Sequence, residues 1–152
     1  MTAQELLIYL TEKKIGDLFS AARRLPPDKL EWKPAPGARC ALDMLQEVAT
    51  AHRQFKSAHL ERKIEWDQDK MANWFRERSK YTDLDELERM TRENTAEISA
   101  FLREMPVENF QLPVQMPFPG DFNLADILAY TYWNMSYHEG QINYIGSLLS
   151  AP

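Results

Sequence analysis

The chain has a single cysteine, Cys40, among 152 residues, so no internal disulfide framework can form and the fold must be held by packing. A lone thiol suits a reducing compartment, and the expected location is cytoplasmic. Nothing near Cys40 in sequence would lower its pKa, so it reads as structural rather than nucleophilic. Long apolar runs are also missing: no stretch approaches the roughly 18 residues needed to span a bilayer. The apolar part of "MTAQELLIYLTEKK" is short, follows an acid and lacks a cleavage pattern, so it is not read as a secretory signal. Clustered basic charge is absent too. The formal net charge is -5, from 23 acidic and 18 basic side chains, and the bases are dispersed apart from short groups such as "ERK" and "RER". That argues against nucleic acid as a partner, because a phosphate backbone needs a clustered basic surface. There is no phosphate-cradling loop, nucleophile elbow or thiol pair.

What is present is a helical pattern. The apolar fraction of 44% and the 11% aromatics suffice for a packed interior, and the length suits one domain over residues 1–152. Residues 3–24 carry Leu6, Leu7, Leu10, Leu18, Phe19 and Ala22 on one side, and "LPPDK" ends that helix because proline lacks a backbone donor. Residues 41–64 form the second, with Leu45, Val48, His52, Phe55 and His59 along its stripe and Cys40 with Asp43 as a weakened capping box. The third begins at "TDLDE", capped by Thr82 or Asp83, and carries Leu84, Leu87, Thr91, Asn94, Ile98, Phe101 and Met105. Asn94 reads as a hydrogen-bonded margin residue. The last helix covers 124–149 behind an Asn123–Asp126 cap. Between helices two and three, residues 65–82 make a crossover in which Trp74 and Phe75 cover the bundle. The proline-rich "QLPVQMPFPGDF" is a connection with no convincing strand pairing. The fold class is all-α, a four-helix bundle with a longer crossover between helices two and three.

The last helix poses the chemical question. In "NMSYHEGQINYIGSLL" the apolar residues Met135, Ile142, Ile145 and Leu149 share a stripe with His138, and Asn134 and Gln141 flank it. Burying such groups unpaired costs about 1 to 3 kcal/mol each, so they must meet partners on a facing helix, a water, a metal or a ligand. Helix two offers His52 and His59 at the centre of its stripe and Glu47 at its edge. The aromatics Tyr130, Tyr132, Trp133, Tyr137 and Tyr144 go almost all round the last helix, more than one buried stripe needs, so a homodimer or a ligand cavity is expected.

Two stretches carry a resemblance. "DKLEWKPAPGARCALDMLQEVATAHRQF" (28–55) resembles the approach to helix two in DinB-like four-helix bundles, and "HEGQINYI" (138–145) resembles their last helix. Typical members hold a divalent metal through one histidine of helix two and a His-x-x-x-His pair of the last helix. Carried over, those positions fall on Glu47, Asn134 and His138, and Glu139 stands where an arginine is common. The resemblance thus implies a degenerate site, with zinc or nickel as the expected metal. A glutamate is a competent ligand, whereas a neutral amide oxygen donates little charge. The alternative is a metal-free trio in which Glu47 or Asn134 fixes the ring of His138. Gln141 is expected to bond across the bundle and help to orient the site, as a substrate-binding residue.

Two functions follow. With a metal, the resemblance implies a hydrolase or thiol transferase acting on a small electrophilic substrate, with a low-molecular-weight thiol as one nucleophile. Without one, the bundle would bind a small molecule or serve as a structural dimer. Neither reading involves nucleic acid or a membrane.

Overall fold

The computed structural model describes residues 1–150, and the side chains of 52–57 lie outside that description. The described residues form five α-helices: α1 (Ala3–Arg23), α2 (Ala41–Glu61), α3 (Gln68–Arg78), α4 (Leu84–Glu104) and α5 (Leu124–Leu149). Local chemistry sets most of their ends. Thr2 and Glu5 make a capping box on α1, Asp83 accepts from the Glu86 amide at the start of α4, and Asn123 with Asp126 makes the capping box predicted for α5.

The start of α2 departs from expectation. Cys40 occupies the N-cap but makes no side-chain cap bond, because a thiol is a weak acceptor. Asp43 instead accepts from the guanidinium groups of Arg39 and Arg78, which are stronger partners than a backbone amide. The helix also stops at Glu61, short of the expected residue 64, because Arg62 turns left-handed with φ 55°. Lys63 then forms an isolated parallel bridge with Gln115. The proline-rich segment is likewise more ordered than predicted: β1 (Pro113–Val114) pairs antiparallel with β2 (Phe122–Asn123). Proline confines that pairing to two residues per strand.

The bundle's order is not sequential. Both α1 and α2 pack against α4 and α5, so α1 lies across the diagonal from α2, and α4 from α5. The core divides into two clusters. One gathers Ile15, Leu18, Phe19, Leu45, Val48, Leu87, Met135 and Ile142; the other gathers Ile8, Ala58, Ile98, Leu102, Leu124 and Leu128. Reading each helix from one cluster to the other, α1 and α5 run one way and α2 and α4 the opposite way. The connection from α2 to α4 must therefore travel back along the bundle, and α3 lies on that path. This is the physical reason for the longer crossover. Between the clusters lies a buried polar layer of Thr11, Thr91, Thr95, Thr131 and Asn134.

Leu6, expected on the inner face of α1, is 45% exposed, and Ile8, Thr11 and Ile15 take the interior instead. Asn94 behaves as predicted, donating to the Ala49 carbonyl at 2.8 Å. The run 84–93 lies at an ion-paired surface, with Arg89 on Glu93 and Arg92 on Glu88. Among the described residues, no helix is long and apolar enough to cross a membrane.

Candidate functional site

His138 and Asn134, one turn apart on α5, are 2% and 3% exposed. Glu47 of α2 meets them. Its Oε1 accepts from Asn134 Nδ2 at 3.0 Å and stands 3.2 Å from His138 Nε2, and Asn134 Nδ2 lies 3.3 Å from the same ring nitrogen. The three positions implied by the family resemblance thus converge on one point, although periodicity alone favoured His52 and His59 on α2. The side chain of His52 lies outside the described residues. His59 stands elsewhere, stacked on Phe101 with ring centroids 5.5 Å apart and its buried Nε2 without a partner. Burial pushes its pKa down to about 4.

Gln141 does not reach across the bundle as expected. Its Oε1 lies 2.7 Å from His138 Nδ1 on the same helix, because residues three apart are neighbours on a helical surface. With Gln141 Oε1 as acceptor, Nδ1 carries a proton; Nε2 then accepts from Asn134 Nδ2 in the neutral ring, and donates to Glu47 Oε1 when the ring is doubly protonated. Such an outer partner fixes the tautomer of a metal-binding histidine. Glu139, at the position where the family commonly has arginine, turns to α1 and pairs with Lys14 at 2.7 Å.

Two arginines complete the charge balance, and neither was anticipated. Arg39 Nη1 bonds Glu47 Oε2 at 2.6 Å, while its Nε bonds Asp43 at 2.5 Å. Arg78 of α3 is 2% exposed; its Nη2 bonds Asp43 at 2.5 Å and its Nη1 lies 3.8 Å from Glu47 Oε2. Its guanidinium carbon sits 4.4 Å from the Trp74 ring centroid and 4.3 Å from that of Phe75, a cation–π contact with two adjacent, mutually tilted rings. Burial works to raise the Glu47 pKa. The hydrogen bond to His138, the Arg39 charge and the Asn134 amide outweigh it and hold the carboxyl at about 2. Glu47 is ionised at neutral pH. The spacing of Asp43 and Glu47, four residues apart on one face of α2, with Arg39 four residues before Asp43 and just ahead of the N-cap, was a readable signal. Arg78 had none, because only the crossover delivers it.

Next to this centre opens a cavity of 310 Å³ walled by Ile64, Trp66, Met71, Trp74, Met116 and Phe118. Among the described residues of its lining, Glu47 and Tyr130 carry polar oxygens, beside the indole N–H groups of Trp66 and Trp74. The Tyr130 hydroxyl accepts from Asn134 Nδ2 at 3.2 Å. Burial, reinforced by the Glu47 charge, pushes its pKa up to about 12. The pocket therefore shares two side chains with the hydrogen-bonded centre. The elements that wall it are the segments least legible in the sequence: α3, the extended residues before it and the loop after β1.

The donor set is one carboxylate, one imidazole and one amide. Among the described residues, no three His, Cys, Asp or Glu side chains gather closely enough to hold an ion by themselves. Only the spacing of the three side chains resembles that of a ligand set, since the Asn134 atom in it is a hydrogen-bond donor. Two ligands about 2.1 Å from a common ion, at tetrahedral or octahedral angles, lie about 3.0 to 3.4 Å apart, the range spanned by the three separations here. Asn134 turns its amide nitrogen inward in this arrangement. Reversing the amide would present the oxygen at the cost of the hydrogen bonds to Glu47 and Tyr130.

A sequence model of the DinB family matches residues 1–145. The chain belongs to the DinB family. No curated protein matches it. Among solved structures, it is similar to YfiT from Bacillus subtilis, described as a probable metal-dependent hydrolase with an unusual four-helix bundle topology. The two superpose with a TM-score of 0.81 at 16% identity, over 100% of this chain and 91% of that one. At that identity the likeness is one of fold.

Proposed function

We propose that this DinB-family chain holds a divalent metal, zinc or nickel, at Glu47, Asn134 and His138. It acts there as a hydrolase or thiol transferase on a small electrophilic substrate seated in the adjoining pocket. The observation that carries this reading is the triangle of 3.0, 3.2 and 3.3 Å between the three side chains, together with a His138 tautomer set by Gln141. The described function of YfiT agrees with it. A bound divalent ion would supply Lewis acidity, lowering the pKa of a water or thiol so that a nucleophile is available at neutral pH.

The chain's own residues do the rest. Glu47, ionised and bonded to Arg39, offers an anionic oxygen at the pocket floor without leaving an unpaired buried charge. Asn134 orients Tyr130, whose phenol stays protonated at neutral pH. The apolar walls exclude water from the reacting end of the substrate.

A metal-free, small-molecule-binding bundle is the second reading. It is favoured by the fact that Asn134 and Arg39 already give each Glu47 oxygen a hydrogen-bond partner without an ion. Calorimetric titration with zinc and nickel, with His138→Ala as control, separates the two. Saturable heat that the variant loses supports the metal site, and no heat with either ion removes it.

The exposed ladder of Trp133, Tyr137 and Tyr144, at 55%, 51% and 65% exposure, is proposed as the face of a homodimer. Trp133 and Tyr137 stack with centroids 5.4 Å apart, so the ladder offers a pre-ordered apolar strip to a second copy. Light scattering of Tyr144→Glu tests it: an unchanged mass, or a wild type that is monomeric, removes the dimer.

A further inference from the structure

We infer that the cavity beside Glu47 takes an uncharged, flat aromatic molecule bearing one hydrogen-bond donor, which rests on the reading of that cavity as the substrate's seat. Size sets the scale: 310 Å³ holds about ten non-hydrogen atoms at roughly 30 Å³ each. The walls set the chemistry. Trp66, Trp74 and Phe118 supply ring surface, and Ile64, Met71 and Met116 supply aliphatic and thioether surface. The cavity is also pre-shaped. Trp74 Nε1 donates to Thr50 Oγ1 at 2.9 Å, Thr50 donates to the Gln46 carbonyl at 2.6 Å, and Trp66 meets Trp74 edge-on at 5.4 Å. A ligand therefore need not order these rings on entering.

Charge decides between otherwise similar molecules. Among the described residues, no lysine, arginine or histidine lines the cavity, so an anion would be stripped of water beside the Glu47 carboxylate with no described cation in contact. A cation fares poorly for a different reason. The Glu47 charge is already matched by Arg39 at 2.6 Å, and the Arg78 guanidinium already lies over Trp74. A second cation would meet those two arginines behind a carboxylate with no charge to spare. A neutral donor suffers neither penalty. Glu47 Oε2 takes one close bond, from Arg39, with Arg78 Nη1 at 3.8 Å, and a carboxylate oxygen accepts two. By the same argument, a thiol carrying several ionised groups would sit at the mouth of the cavity rather than inside it.

The test uses three isosteric probes, 4-fluorobenzyl alcohol, 4-fluorobenzoate and 4-fluorobenzylammonium, followed by fluorine NMR on the full chain, both chelator-treated and zinc-loaded. The alcohol is expected to bind saturably and at least about tenfold more tightly than either ion. Met71→Trp, at the partly exposed rim on α3, and Ala51→Phe, deeper in, should each weaken it by about tenfold or more. Circular dichroism verifies that each variant is folded. Equal or tighter binding of a charged probe, or unchanged alcohol binding in whichever variants fold, overturns the inference. Alcohol binding in a protein that gives no heat with metals would sink the metal reading alone. Metal binding without alcohol binding would sink this one alone.

Discussion

Glu47 Oε1 and His138 Nε2 lie 3.2 Å apart although 91 residues separate them in the chain. That contact joins α2 to α5 inside the bundle and makes the stability of the protein answer to pH. The Glu47 pKa falls from an ordinary 4.5 to about 2 on folding. A depressed carboxyl contributes stability that is complete above the unfolded value and lost as pH falls through the folded one. In chelator-treated protein, stability should decline between pH 4.5 and 2 by about 2 kcal/mol, after allowance for solvent screening. Denaturant melts of Glu47→Gln across that window check it: the variant should lack this part of the decline, and a parallel decline would refute the assignment.

His59 sets a second, higher window. Its pKa falls from 6.5 to about 4 because burial disfavours the imidazolium. The unfolded chain takes up the proton first, so stability is complete above pH 6.5 and erodes as pH drops to 4, by up to about 3 kcal/mol. His59→Leu should flatten the curve between pH 6.5 and 4 and leave the lower window intact. An unaltered slope in the variant would assign that loss to another group.

Arg78 closes the charge balance from α3. It is 2% exposed and bonded to Asp43, so Arg78→Met leaves Asp43 with Arg39 alone and removes the cation lying against Trp74 and Phe75. The expected loss is about 3 kcal/mol, a fall of roughly 6 to 12 °C in Tm. Arg78→Lys should recover little of it, since an ammonium cannot stack as a planar guanidinium does. A calorimetric Tm within about 2 °C of the parent in Arg78→Met would show that the guanidinium contributes little.

Asn134→His restores a His-x-x-x-His pair on α5 opposite Glu47. An imidazole is a far better zinc ligand than a neutral amide, so zinc affinity should rise by at least about tenfold. Competition with a chromogenic chelator measures it. Affinity unchanged from the parent would mean that position 134 does not face the ion.

Helix identity was legible because it is written locally. The caps at Asp83 and Asn123, the apolar stripes and the breaking prolines act within a few residues, and four of the five helices follow from them. The fifth, α3, was anticipated only as a short helix or a structured crossover. At the site, His138 and Asn134 were legible as a polar break in an apolar stripe. Glu47 was legible only through the family resemblance, since by periodicity a residue at the edge of a stripe looks like any solvated glutamate until its neighbour is known. The expected bond of Gln141 across the bundle failed for a related reason: the nearer partner, three residues back, was already available.

Composition and periodicity determined an all-helical chain, dispersed in charge and without a disulfide, with an imidazole and an amide committed to its interior. Those are properties of single segments, and short-range physics suffices for them. Only the packing of α2 and α4 antiparallel to α1 and α5 decided that Glu47 meets that imidazole. It also forced the α2–α4 connection back along the bundle, which brought Arg78 and the two indoles to the same place. Contacts between distant segments depend on how the helices pass one another, and no local pattern encodes that.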